Sequence, residues 1–468
     1  MPNGFNTRRE GLLKLFIREV SFPFFARRDG LGGIMDRLGE LRESQFWPME
    51  RILDLQERRL KALLVHAYEH TAYYRGLFDL SGFNPYAFRH ADELARIPAL
   101  TKELIRDNLK DLVADTLGAH EIHAAETGGT SGVKMRFFRD NACLAMKQAA
   151  VHRFDSWAGW DVGERMGLVW PAGQDYLGGG TWKSRVRNTF YRRVITYPAA
   201  VMDDGSSEAF IRELKRRRPA MVTAFTSPIC ELARYMVRTG AAGTTVKGVV
   251  STGEPLYPHQ RKLIEEAFGC LVFDSYRSRE AGPMAQECGA HEGMHINAEC
   301  LYVETVPRLG FMEGRPGAGA VLVTDLVNYG MPLIRYDMGD LGVMSGRACP
   351  CGRGLPLMEN VAGRVADTFV TPQGRLIPTA ALVLYLVDEA PGLMGQMQMV
   401  QDAPDHLTLR LTKDPMPSEG VLEHQKRMIE KLFGPGMRLT YEFVDRIPRE
   451  GSGKYLFARR LIPGPGRG

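Results

Sequence analysis

Apolar positions recur at helical spacing through the first part of the chain, with Leu60, Leu63, Leu64 and Ala67 on one face, so residues up to about 95 read as helices. From about 120 to 345 the pattern changes to short apolar runs of strand length, separated by helix-like stretches such as 207–217, which predicts a large α/β domain. Past Gly363 the remaining residues read as a smaller α+β unit, with the Gly/Pro-rich residues 463–468 frayed. The expected division is 1–95 as a helical region of the large domain, 96–363 as its main body, and 364–468 as the small domain. There is no internal repeat and no low-complexity block.

The first thirty residues interleave large apolar and basic side chains, as in Leu12, Leu13, Lys14, Leu15, Phe16, Ile17 and Arg18. Lys14 and Arg18 break the apolar core that a signal peptide requires. A basic amphipathic segment over residues 8–28 is suited to peripheral contact with an anionic membrane, to packing on its own domain, or to a partner subunit such as a second copy. No run approaches the roughly 18 apolar residues of a membrane span. With 468 residues and 44% hydrophobic content the chain can bury a sizeable core. Seven cysteines argue for a reducing, cytoplasmic compartment over a disulfide scaffold. A net charge of +5 does not demand nucleic acid, and no nucleic-acid motif is present.

Four stretches carry candidate chemistry. Thr127, Gly128, Gly129, Thr130, Ser131, Gly132, Val133 and Lys134 concentrate three glycines and three hydroxyls in eight residues. Such a loop lets backbone N–H groups approach a phosphate, and hydroxyls add donors. It lacks the Lys-Ser/Thr ending of a P-loop, and the strand-like residues 134–139 follow it, so it joins two strands. Taken alone, an ordinary glycine-rich turn fits it as well. The second stretch is the strand, turn, helix, strand succession from Gly248 to Phe273, after which Tyr276 and Glu280 fall just past a strand end, where α/β ligands bind. An aromatic there can cover a base and a carboxylate can hold Mg²⁺. In the third, Asp340 follows Gly339 after an apolar run and can accept from a ribose diol, or can cap its own turn. The fourth, Gly451, Ser452, Gly453 and Lys454, is a flexible loop with one lysine, which by itself is ordinary surface.

In order and spacing these stretches resemble the adenylate-forming superfamily, and within it the phenylacetate-CoA ligase family, in particular its capsular polysaccharide-associated branch. The resemblance covers nearly the whole chain, from residue 56 to Lys454. It implies a large adenylate-forming domain and a small mobile α+β C-terminal domain. It implies ATP-dependent activation of a small, aromatic carboxylic acid as acyl-AMP, with Mg²⁺, and transfer to CoA. By the resemblance, residues 127–134 bind phosphate, Gly253, Glu254, Pro255, Asp274, Ser275 and Tyr276 wall the adenine, and Glu280 holds Mg²⁺ and phosphate. Asp340 would bind the ribose hydroxyls with Arg364 beside it, Asp367 would be the hinge, and Lys454 would reach the carboxylate and α-phosphate. Phe225, Thr226 and Pro228 are candidates for the acid pocket, with Trp170 and Tyr176 as rivals.

The chain departs from the family at three places. Gly128 stands where a serine is often seen, no proline follows the loop, and Arg277 replaces the usual glycine after the tyrosine, so that Arg277 and Arg279 are expected to alter the phosphate or acceptor side. Residues 369–378 are closer to the capsule-associated branch, which keeps open an amine or hydroxyl acceptor in place of CoA. A non-catalytic nucleotide-binding homologue is a third reading, and joint retention of Glu280, Asp340 and Lys454 argues against it.

Independent of these residues, Cys288 and His291 stand at Cys-x-x-His spacing, and Cys349 and Cys351 at Cys-x-Cys spacing about sixty positions later. Thiolates and an imidazole in two short clusters match a structural Zn²⁺ site, with His295 and Cys300 as substitutes. Cysteines scattered without a metal are the competing reading.

Overall fold

A computed structural model describes residues 11–118, 121–127, 135–170, 181–199, 202–307, 315–364, 368–373, 376–378, 397–413, 416–434, 436–445, 447 and 458–462; the side chains of residues 198, 360, 362–364, 368, 376 and 378 are outside this set. Gly128 through Lys134, Tyr176, Asp367, Lys454 and residues 463–468 therefore lie outside the described residues.

The strands of the large domain are β1 (Ile122–Glu126), β2 (Arg136–Asp140), β3 (Met166–Trp170), β4 (Val194–Pro198), β5 (Met221–Phe225), β6 (Gly248–Thr252), β7 (Leu271–Ser278), β8 (Gly282–Glu287), β9 (Met294–Ile296), β10 (Leu301–Val306), β11 (Ala318–Asp325), β12 (Tyr336–Ser345) and β13 (Leu357–Arg364). β1 and β2 pair antiparallel on either side of the glycine-rich loop, as its flanking pattern predicts. The others form one sheet in the order β10-β11-β12-β13-β9-β8-β7-β6-β5-β3-β4. Its half from β4 to β7 is parallel and its half from β7 to β10 antiparallel.

The parallel half follows from near-continuous apolar runs such as Met221–Phe225, broken only by Thr223, alternating with amphipathic helices Asp204–Arg217, Thr226–Arg238 and Pro258–Phe268. Val222, Ala224, Val249, Ile229, Leu232 and Ile264 form the core between them. The N-terminal helices have no separate core. Ile52, Leu60, Leu63 and Leu64 of helix Met49–His70 join Val321, Val323, Leu333 and Ile334 of the antiparallel side. A buried polar network reinforces that junction: Arg153, on helix Asn141–Trp157, donates to Glu299 at 2.7 Å and Asn297 at 2.9 Å, and Ser44 donates to Glu299 at 2.6 Å.

The C-terminal strands β14 (Thr368–Val370), β15 (Leu376–Pro378), β16 (Met397–Ala403), β17 (His406–Thr412), β18 (Arg438–Val444) and β19 (Ala458–Arg460), with helix Glu419–Phe433, gather a core of their own around Phe369, Met399, Leu407, Leu409, Ile429 and Phe433. Four of these strands pair in the order β18-β17-β16-β19. No described helix is long and apolar enough to cross a membrane.

Candidate functional site

The carboxyl ends of β5, β6 and β7 meet at one edge of the sheet. Thr252, which ends β6, pairs with Ser275 of β7, so Tyr276 and the residues after it project past the end of β6. Gly253 turns the chain there with φ +83°, and a Cβ at that position would stand 2.5 Å from the Phe225 ring, so the site requires glycine twice over. Glu254 accepts at 2.7 Å from the N–H of Ser227, at the start of helix Thr226–Arg238, and its carbonyl accepts from Thr226 Oγ1 at 2.9 Å. These bonds lock the turn containing Gly253, Glu254 and Pro255 against the next helix. Trp170 and Phe225 meet edge to face with centroids 4.4 Å apart at the ends of β3 and β5. Thr226 and Pro228 are buried in packing.

Tyr276 and Asp340 come together from opposite halves of the sheet, the phenol donating to Asp340 Oδ2 at 2.6 Å. Asp340 sits where the β11–β12 register shifts, beside Gly339 at φ +73°. A bulge of this kind re-aims a side chain without ending the strand. Arg364 stands directly opposite Asp340 in the β12–β13 ladder. Asp274 is half-buried beside Glu287, and desolvation with that neighbouring charge pushes its carboxyl up to about 7.

Glu280 is buried, and its Oε1 accepts from the hydroxyl of Tyr336 at 3.3 Å. Burial and the facing carboxylate push the Tyr336 phenol up, so it meets Glu280 as a donor. Lys147 donates to the backbone carbonyl of Glu280 at 3.2 Å and to Asp325 Oδ2 at 2.5 Å. Burial works against the ammonium, but the facing Asp325 carboxylate outweighs it and holds Lys147 charged. The glycine-rich loop begins close by: Thr127 and Met135 close its base through N–H to carbonyl and N–H to hydroxyl bonds of 2.9 and 3.0 Å, and Arg279 donates to the carbonyl of Glu126 at 3.2 Å. The structure thus brings Thr127, Tyr276, Glu280, Asp340 and the backbone of Arg364 to one edge.

Sequence reasoning misses Tyr336 and Lys147. Tyr336 lies inside the run that presented Asp340 but shows no role before its partner is known, and Lys147 reads as one lysine on a mixed helix. Arg277 requires a correction. Its guanidinium turns inward to Asp155 at 3.2 Å, Gln286 at 2.9 Å and Ser275 at 2.7 Å, so its described hydrogen bonds serve buried Asp155 and the sheet.

A second constellation lies where β8 and β9 meet the loop before β13. One ligand atom each from Cys288, Cys349, Cys351 and His295 falls within 4.8 Å of all the others. Cys288 and Cys349 sulfurs are 3.6 Å apart, and Cys351 Sγ is 3.2 Å from His295 Nε2. Metal–sulfur bonds of about 2.3 Å in a tetrahedron place sulfurs about 3.8 Å apart, so the donor set fits Zn²⁺. The other ring nitrogen of His295 faces the carbonyl of Leu355 at 3.4 Å, the outer contact that orients a ligating imidazole. The histidine in the cluster is His295, on β9, and not His291. Following a Cys288 turn, His291 adopts φ +53° and meets Glu287 at 3.1 Å and Arg261 at 3.2 Å, and it is not among the clustered ligand atoms. Cys300 is buried elsewhere in the main core.

Residues 369–460 match the family model described as the CapK C-terminal domain. The chain is similar to a phenylacetate-coenzyme A ligase of Thermus thermophilus, 26% identical over 75% of this chain and 79% of that protein. It is also similar to Protein CapK of Staphylococcus aureus, 22% identical over 87% and 89% of the two chains. Among solved structures, a 2-hydroxyisobutyryl-CoA ligase in its postadenylation state shares the fold with a TM-score of 0.69 and 21% identity, over 89% of this chain and 91% of that one.

Proposed function

We propose, from the premise that this chain is an adenylate-forming relative of the phenylacetate-coenzyme A ligases and CapK, that it activates a small carboxylic acid with ATP and passes the acyl group to CoA. The observation that carries the reading is the pairing of Tyr276 with Asp340 and of Glu280 with Tyr336 at one sheet edge, beside the base of the glycine-rich loop.

Adenylation brings two anions together, so the site has to offset their repulsion. Glu280 is the group suited to hold Mg²⁺ and the backbone donors of residues 127–134 the groups suited to hold the phosphates; bound there, Mg²⁺ would supply charge neutralisation at the α-phosphate and the departing pyrophosphate. Asp340 accepts from the ribose diol, exchanging its bond from Tyr276 for bonds from the sugar. Tyr276, Gly253 and the residues locked through Glu254 cover the base. Lys454 approaches the carboxylate and α-phosphate as the acyl-AMP forms, and rotation about Asp367 withdraws it before the second half-reaction. Zn²⁺ at Cys288, His295, Cys349 and Cys351 is structural in this reading.

A second acceptor rests on the resemblance of residues 369–378 to the capsule-associated branch, which implies an amine or hydroxyl as an alternative to the CoA thiol; residues 369–460 match the CapK C-terminal domain, whose name specifies no acceptor. The test is pyrophosphate release and product mass with ATP, Mg²⁺ and a panel of aryl and short aliphatic acids, with and without CoA. A CoA thioester is the expected product, and Glu280→Gln is expected to slow pyrophosphate release by about 10²–10³. Adenylate without thioester moves the reading to the second acceptor, and ATP binding without pyrophosphate from any acid overturns both.

A further inference from the structure

Residues 11–28 fold as a helix with a π turn at Ile17–Ser21 and continue into helix Phe22–Arg28. One side is fixed to the domain: Ile17, Phe22 and Ala26 are buried, and the Phe22 and Phe25 rings lie 5.3 and 5.5 Å from Tyr191. Ser21 Oγ donates to the carbonyl of Phe190 at 2.6 Å, and Arg187 pairs with Asp29. These contacts make the N-terminal helix and residues 181–192 one block.

The opposite side of that block is apolar and open. Leu12, Leu15, Phe16, Val20 and Phe24 are between 48% and 68% exposed, and Trp182 and Val186 on the adjoining helix Trp182–Arg187 are 70% and 40% exposed. Scattered exposed apolar residues need no explanation, but five at helical spacing on one eighteen-residue stretch form an apolar face, to which the same block adds the exposed Trp182 and Val186. Its charge is one-sided. Lys14 and Arg18 are engaged by Asp161, whereas Arg27, Arg28, Lys183, Arg185 and Arg192 are exposed, with Glu19 the exposed acid among them.

We infer that this block docks on the surface of an anionic lipid bilayer, with Leu12, Leu15, Phe16, Phe24 and Trp182 entering the headgroup–acyl boundary and the five basic side chains meeting lipid phosphates. Charge complementarity selects that occupant: two copies of this chain meeting through the patch would oppose five exposed cations to five, while an anionic surface neutralises them. Apolar side chains on one helical face with Lys and Arg around them is the composition of interfacial segments, and Trp next to Lys suits headgroup depth.

The experiment is co-sedimentation of the full chain with vesicles of phosphatidylcholine alone and of equimolar phosphatidylcholine and phosphatidylglycerol, at low and high salt. Binding to the anionic vesicles, weakened by salt, is expected. Lys183→Glu with Arg185→Glu is expected to lower the partition by roughly tenfold or more, and Leu15→Ser with Phe24→Ser to lower it at any salt, with melting temperature unchanged because all four side chains are exposed. Equal binding to both vesicle types, binding indifferent to both double variants, or a wild-type dimer in sedimentation velocity that those variants dissociate overturns the inference, the last by assigning the face to self-association.

Discussion

Lys147, buried, has three duties: it neutralises Asp325, ties helix Asn141–Trp157 to the end of β11, and holds the carbonyl of Glu280. Lys147→Met leaves Asp325 buried and unpaired, and a loss of about 3–5 kcal/mol in denaturant unfolding is expected. Lys147→Met combined with Asp325→Leu removes both charges and is expected to recover most of that stability, while pyrophosphate release stays about tenfold low because Glu280 still lacks its backbone donor. Recovery of both together would assign the pair to stability alone. At this scale the sequence disclosed residues whose chemistry is visible without a partner. Glu280 follows a strand and Asp340 a glycine, where ligand groups are expected, whereas Tyr276 lies inside β7 and not past its end, because β7 runs on to pair with β8. Tyr336 and Lys147 gain meaning only from contacts 56 and 133 positions away, which no local pattern encodes.

Elements were legible in proportion to how locally their pattern is set. The loop between two strands, the βαβ succession from Gly248 to Phe273 and the helix after β4 all follow from runs of a few residues. The pairing of β9 with β13, which brings His295 towards the Cys349 loop, joins residues about sixty positions apart, and spacing alone favoured His291. About one zinc per chain is expected by elemental analysis of the purified protein. His295→Ala is expected to lower that content and the melting temperature together, and His291→Ala to leave zinc content unchanged. The opposite ranking would return the ligand role to His291.

For the whole molecule, the N-terminal helices belong to the main core, as expected of a helical region of the large domain; what the amphipathic pattern left open is the antiparallel strands that cover them, since it specifies a buried face but not its partner. His152 reports on this junction. It lies against Phe22 and stacks on Trp160 with centroids 5.5 and 5.0 Å away, with Gln148 at 3.4 Å. Burial, aided by the charges of Arg42 and Arg277 and opposed by Asp161, lowers its pKa to about 4. The unfolded chain takes up this proton near pH 6.5 and the folded chain near 4, so His152 contributes stability above pH 6.5 that is lost as pH falls between those values. The loss is up to about 3 kcal/mol. His152→Gln is expected to flatten the stability profile between pH 6.5 and 4 in urea titrations, and an unchanged slope would remove His152 as its source.

The Cys288–Cys349 contact bears on the chain entropy of the antiparallel half. These sulfurs lie 61 positions apart, and the chain between them carries Asp325, Tyr336 and Asp340. Any bond that joins them, through a metal or by oxidation, closes that loop and removes on the order of 4 kcal/mol of unfolded-state freedom. The candidate nucleotide residues Tyr336 and Asp340 would then sit on a stretch of chain tethered by a clasp that touches neither of them, and stripping the clasp is expected to loosen that stretch from a distance.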